Sequence, residues 1–170
     1  MNGLGRGRGI MSGNMNYWMI VTSRDNFEIS RKMGFKLAGM KPKWEKAASS
    51  VRSGDRLVYY LTKEGNFVGI LEAVGEYSVA KTGDEPWKPK KPGTWNDPIR
   101  KLNYPFRFKT KPILVFPEGQ GVASAEFKDK LIYLKRWPAK YWKLGFQGNV
   151  HELEKTDFDL IEKELRARLG

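Results

Sequence analysis

Cysteine is absent from the chain, and histidine occurs once, at His151. Without thiols there is no disulfide staple, no thiolate zinc site and no cysteine nucleophile. A single imidazole excludes a multi-histidine metal centre, and no metal or cofactor is expected. No apolar run approaches the ~20 residues that a membrane-spanning helix needs, so no membrane partner is expected. The first residues carry no apolar stretch of signal type. The expectation is a soluble, cytoplasmic protein. What is present is an ordinary globular composition over 170 residues, 40% hydrophobic and 29% charged. That length suits one hydrophobic core.

Negative charge is the other shortage. There are 31 Lys and Arg against 19 Asp and Glu, a formal charge of +12. The excess is clustered. Residues 81–111 hold nine basic and three acidic side chains, a net of +6, and residues 128–143 hold six and one, a net of +5. Residues 151–170 reverse the sign, with four basic and six acidic side chains, a net of −2. A Lys-rich surface has a bland explanation in ion pairing at high temperature. Clustering beside aromatic residues points instead to a polyanion.

Residues 1–14 are Gly-rich and aperiodic and read as a disordered leader or tag, with 15–170 as one domain. YWMIVT, Tyr17 to Thr22, is short, apolar and β-prone, a buried strand. Ser23 offers a cap for a helix over Asp25 to Met33. Residues 34–46 read as a loop, and Trp44 to Val51 as a short helix. The turn Ser53-Gly54-Asp55 leads into a strand, Arg56 to Thr62. KEGN is a hairpin turn, and Phe67 to Ser78 the return strand, with Gly69 and Gly75 as points of bulge or close approach. Residues 79–103 form a structureless insert, which is uncommon in a compact domain and often functional. Tyr104 to Thr110 alternates as a strand, and Pro112 to Phe116 continues it or forms the next. Short helical pieces occupy 124–136. A helix from about Asp157 to Leu169 closes the chain, with Thr156 and Asp159 resembling a capping box and Phe158, Ile161, Leu165 and Leu169 as its stripe. Strands without regular strand–helix alternation argue against a doubly wound sheet.

Nothing in this pattern is catalytic. His151 lies away from any Ser-rich turn and reads as a surface or capping residue. The pair Asp157 and Asp159 reads as acidic charge at a helix N-terminus. Binding chemistry is better represented. Aromatic residues make up 13% of the chain. Trp87 and Trp95 lie in EPWKPKKPGTWNDPIRK, which cannot bury a continuous face. A Trp beside Lys88, Lys90, Lys91, Arg100 and Lys101 suits base stacking next to phosphate contacts. The alternative is that both indoles merely anchor the insert to the core.

The order of segments carries a resemblance. Tyr17-Trp18 leads to Thr22-Ser23 and a helix bearing Asp25-Asn26. Then come Ser53-Gly54-Asp55, a hairpin bearing Val68-Gly69-Ile70, Tyr104-Pro105-Phe106-Arg107, and finally Phe146-Gln147-Gly148, Glu152 and Asp157. Over about residues 15–169 this is similar to the EVE domain, a member of the PUA-like group related to the YTH domain. The resemblance implies an α+β fold, a PUA-like small twisted β-barrel with peripheral short helices and a C-terminal helix. It implies a pocket beside the first strand that holds one nucleobase between aromatic walls. YTH relatives read a methylated adenine in RNA, and EVE relatives are associated with modified bases in DNA or RNA. Relatives commonly carry a Trp after the first helix. Here that stretch is Phe35-Lys36-Leu37-Ala38-Gly39, with Trp44 a few residues on.

The resulting expectation is a non-enzymatic module that binds RNA or DNA, single-stranded or with a flipped base. Thr22, Ser23, Leu37, Thr62, Trp87, Trp95 and Arg107 would border the pocket, and Lys88, Lys90, Lys91, Lys135 and Arg136 would meet phosphates. Two alternatives stay open: an RNA-processing enzyme or accessory subunit, and an interaction module for an acidic protein.

Overall fold

A computed structural model describes residues 15–89 and 91–170. The expectations for 1–14 and for Lys90 lie outside the described residues. In chain order the elements are β1 (Tyr17–Thr22), α1 (Arg24–Lys32), β2 (Leu37–Met40), α2 (Glu45–Ser50), β3 (Arg56–Leu61), β4 (Asn66–Ala73), β5 (Ser78–Val79), β6 (Phe106–Val115), β7 (Val122–Ala123), β8 (Val150–Leu153) and α3 (Lys155–Leu169). Between β7 and β8 the chain runs through 3-10 turns at Ser124–Phe127, Ile132–Arg136 and Ala139–Phe146.

The strands form one mixed sheet in the order β2-β6-β4-β3-β1-β8, with β5 added to β6 and β7 to β4. It curls into a half-barrel flanked by short helices and the C-terminal helix. β1 and β3 are parallel, and the other pairs are antiparallel. A parallel pair needs a crossover, and α1, β2 and α2 supply it.

The central strands are apolar on both faces because both faces are covered. Met19 and Val21 of β1, with Val58 and Tyr60 of β3, pack under α3 and the 3-10 turns, against Phe127, Phe146, Phe158, Ile161 and Leu165. Trp18 and Ile20, with Leu57, Tyr59 and Leu61, face Phe27, Phe35, Ala38, Met40, Phe106 and Phe108. This second face carries the candidate cleft. Alternation along β4 is restored by a bulge: Tyr59 pairs Gly69 while Tyr60 pairs Phe67, leaving Val68 unpaired. A one-residue slip would otherwise turn every later side chain to the wrong face. Gly69 eases the close approach there, since an added Cβ would lie a tight 3.1 Å from the Leu114 carbonyl oxygen.

Ser23 caps α1, its hydroxyl accepting from the Asn26 N–H at 3.2 Å. Asp55, 1% exposed, locks the start of β3. Its carboxylate accepts the Asn16 N–H at 2.9 Å, the Trp18 indole N–H at 3.0 Å and the Arg52 N–H at 2.9 Å.

Several elements differ from the sequence reading. The presumed loop 34–46 contains β2, which is only four residues long and pairs with β6. The return strand stops at Ala73. Of the two readings left open for Pro112 to Phe116, continuation of the preceding strand holds: β6 runs over Phe106–Val115, and Pro112 is tolerated because it sits at a register shift opposite Leu71. α3 begins at Lys155 with no side-chain cap, so Thr156 and Asp159 form no capping box. Asp159 pairs with Lys155, and buried Asp157 accepts the Ile132 and Tyr133 N–H groups at 2.9 and 2.8 Å. Leu169 is exposed rather than part of the buried stripe. His151 lies within β8, half-buried between the rings of Trp44 and Tyr133 rather than in a surface or capping position.

Candidate nucleic-acid interface

A cleft enclosing about 290 Å³, part of it open to solvent, lies at the end of β1. Ile20 and Thr22 of β1 and Tyr59 of β3 form one side, and Ala38 and Gly39 of β2 another. Asn26 and Ser30 come from α1, Trp87 and Tyr104 from the long insert and its end, and Asn149 from the approach to β8. The residues span almost the whole chain.

The insert is the unusual wall. Trp87 is 6% exposed, and its indole N–H donates to the Ser30 hydroxyl at 2.9 Å. Its ring lies edge-on to Tyr104, with centroids 5.7 Å apart. It also lies against Gly39, where an added Cβ would come within 2.5 Å of the indole. Asn26 holds the segment as a strand neighbour would. Its oxygen accepts the Lys88 N–H at 2.7 Å, and its amide nitrogen donates to the Lys88 carbonyl at 3.0 Å and the Tyr104 hydroxyl at 3.1 Å. Behind Trp87, the Glu85 carboxylate accepts the Asn103 N–H, the Tyr104 N–H at 2.9 Å and Arg107 at 3.4 Å.

Polar capacity remains in the cleft. Asn149, 2% exposed, donates to the Val21 carbonyl at 3.2 Å and accepts the Lys41 N–H at 3.0 Å, which leaves an amide hydrogen over. Among the described residues neither the Tyr59 nor the Thr22 hydroxyl has a hydrogen-bond partner, and Tyr59 is only 5% exposed. Burial raises the Tyr59 and Tyr104 phenol pKa values, so both rings are neutral donors at ordinary pH. No group of acids and histidines able to hold a metal occurs among the described residues.

Of the residues proposed from sequence, Thr22 and Trp87 line the cleft. Ser23 stands beside Thr22, with its hydroxyl engaged in capping α1. Leu37 precedes the lining residues Ala38 and Gly39 and is itself outside the lining. Thr62 is also outside, its hydroxyl donating to the Thr22 carbonyl at 3.4 Å. Trp95 stands apart, 45% exposed, in a turn tied by Asn96–Asn103 and Asp97–Arg100 hydrogen bonds. Arg107 is 6% exposed and lies behind the wall, its guanidinium 5.2 Å from the Trp87 ring centroid. Lys88 and Lys91 are exposed on the insert. Lys135 and Arg136 are exposed in a 3-10 turn, where Arg136 covers the Tyr133 ring at 4.9 Å. Tyr133 in turn lies 5.8 Å from His151, two residues beyond Asn149. Sequence reasoning missed Tyr59, Ser30, Tyr104 and Asn149 as lining residues. Only Asn26 carried a local signal, as the second residue of the Asp25-Asn26 pair after the cap.

The family model of the EVE domain matches residues 16–164. The chain belongs to the EVE domain family. It is 32% identical over 164 residues to the UPF0310 protein PH1033 of Pyrococcus horikoshii, covering 89% of this chain and 99% of that one. A hypothetical protein from Leishmania major superposes with a TM-score of 0.61 at 14% identity, over 94% of this chain and all of that one. The YTH domain of Zygosaccharomyces rouxii MRB1, solved in complex with N6-methyladenosine RNA, gives 0.60 at 17% identity, over 90% and 88%. At such identities these likenesses speak for the fold, and they place this EVE chain beside YTH domains.

Proposed function

We propose that this EVE domain is a non-enzymatic reader of nucleic acid, which takes one extruded or modified base into the cleft at the end of β1. The observation that carries the reading is the cleft itself. Its aromatic side is made by Trp87, Tyr104 and Tyr59, and its polar side offers unspent donors on Tyr59, Thr22 and Asn149. Stacking between aromatic walls and hydrogen bonding at an edge are what recognition of an unstacked base requires. The YTH neighbour bound to N6-methyladenosine RNA supports the same use of the fold. Lys88 and Lys91, exposed on the insert that carries Trp87, would hold the backbone, and Lys135 and Arg136 would take a longer strand. Phosphate contacts of this kind add affinity without sequence information.

The test is fluorescence anisotropy with matched RNA and DNA oligonucleotides that carry one adenine, methylated or not, at about 50 mM salt. Binding that prefers one modified base in single-stranded context supports the reading. Absence of binding to every oligonucleotide overturns it.

A further inference from the structure

We infer that the cleft selects neutral bases against bases carrying a fixed positive charge, and that Arg107 sets this preference. The inference rests on the base-reading proposal and names the ligand class of the same cleft. Aromatic walls alone do not decide the charge of their ligand. A cage of one Trp and two Tyr is also what a quaternary or methylated cation favours, because the ring faces are electron-rich. Two features of this cleft oppose a cation.

The first is the absence of a carboxylate. None of the ten lining residues is Asp or Glu. Glu85, which pairs with Arg107 behind the wall, has its side chain 8% exposed. Both of its oxygens are already engaged, by two backbone N–H groups and by Arg107. The second is that the quadrupole of Trp87 is already in use. The Arg107 guanidinium lies 5.2 Å from the ring centroid. Arg107 is not among the lining residues, so it reaches the indole from outside the cleft. A further hydrogen bond, from its Nε to the Tyr104 carbonyl at 2.9 Å, keeps it there. Burial lowers the Arg107 pKa, with Glu85 and Asp84 opposing. Arginine nonetheless stays charged in proteins.

A cation held on one indole draws its π density, and a second cation on the same ring meets a weakened quadrupole and a like charge. A buried charge is also screened far less than a surface lysine. Two unit charges about 9 Å apart at an effective dielectric of about 20 repel by enough to change binding about twentyfold, and Glu85 offsets part of this. A neutral base pays none of that cost and stacks on a polarised ring.

The experiment compares one single-stranded oligonucleotide carrying N6-methyladenine, which is neutral, with its N1-methyladenine isomer, which is cationic at neutral pH. Each is titrated against the full chain, against Arg107→Met and against Glu85→Gln. Methylation at N1 also changes the hydrogen-bonding edge, but that change is common to all three proteins, so the variants isolate charge. The full chain should prefer the neutral isomer by about fivefold or more. Arg107→Met should narrow the ratio and Glu85→Gln should widen it. If Arg107→Met fails to fold, the other two measurements still decide. Equal or tighter binding of the cationic isomer by the full chain, or a ratio unmoved by Glu85→Gln, overturns the inference while base reading stands. Failure of the full chain to bind either isomer overturns both.

Discussion

Trp87 and Trp95 stand eight positions apart in the same Lys- and Pro-rich insert, yet they have opposite fates. Trp87 is nine-tenths buried on Gly39 and bonded to Ser30, whereas Trp95 is 45% exposed. Trp95→Ala should therefore leave the melting temperature nearly unchanged, and its effect on binding should be small. Gly39→Ala attacks the wall without touching its chemistry. The added methyl falls 2.5 Å from Trp87 and 2.8 Å from the Tyr104 Cβ, so the indole must move. Displacing a stacking partner worth about 1–3 kcal/mol should weaken base binding roughly 5- to 150-fold. Equal affinities of Gly39→Ala and the parent chain, measured by anisotropy, would remove Trp87 from the site. His151 supplies a pH signature at the same scale. Burial lowers its pKa from 6.5; Arg136 adds to the lowering, and the Gln147 carbonyl opposes it. Below pH 6.5 the unfolded chain takes up this proton more readily than the folded chain. The contribution of neutral His151 to stability is thus complete above 6.5 and is lost as pH falls through the folded-state value. Urea melts of His151→Asn against the parent should show a smaller loss between neutral and mildly acidic pH.

Among the elements, the insert between β5 and β6 depends on side-chain hydrogen bonds instead of a ladder. Among the described residues of the insert, the isolated bridge between Asp97 and Leu102 is its only strand-like pairing. Asn26 clamps Lys88 on both its N–H and its carbonyl, and Glu85 gathers Asn103, Tyr104 and Arg107. Asn26→Ala removes the clamp while leaving the Ser23 cap, which uses the Asn26 backbone. The expected result is a local loosening. Amide exchange should accelerate at Lys88 and Trp87 with little change in β1 or β3, and base affinity should fall with the wall. Exchange rising uniformly through the sheet would mean that Asn26 supports the core rather than the insert.

At the scale of the molecule, the charge of +12 is a statement about partners and not about fold. With ~4 phosphate contacts on a single strand, the log–log dependence of affinity on salt should have a slope of about −3. Replacing Lys88 and Lys91 together should reduce that slope by roughly 1 to 1.5 and weaken all sequences alike. A flat salt response would exclude the polyanion reading. In contrast, Gly39→Ala should leave the slope intact, so the two kinds of change separate stacking from charge.

Local periodicity and charge determined much of this protein by themselves. β1, β3, the hairpin into β4 and the C-terminal helix were legible because each is apolar enough to declare its buried face. The order of short motifs was enough to suggest the EVE domain, and the basic clusters were visible as composition. Tertiary structure alone decided the rest. β2 and β8 are four residues long, too short for a pattern, and exist only because β6 and β1 supply their hydrogen bonds. The bulge in β4 let Tyr59 keep to the cleft side while Phe67 and Ile70 turned to the other core. The cleft gathers residues from Ile20 to Asn149, and no window of sequence contains it. Trp87 became a wall and Trp95 did not because Gly39, Ser30 and Tyr104 meet only the first; that pairing follows from the path of the chain through space, which local composition does not encode.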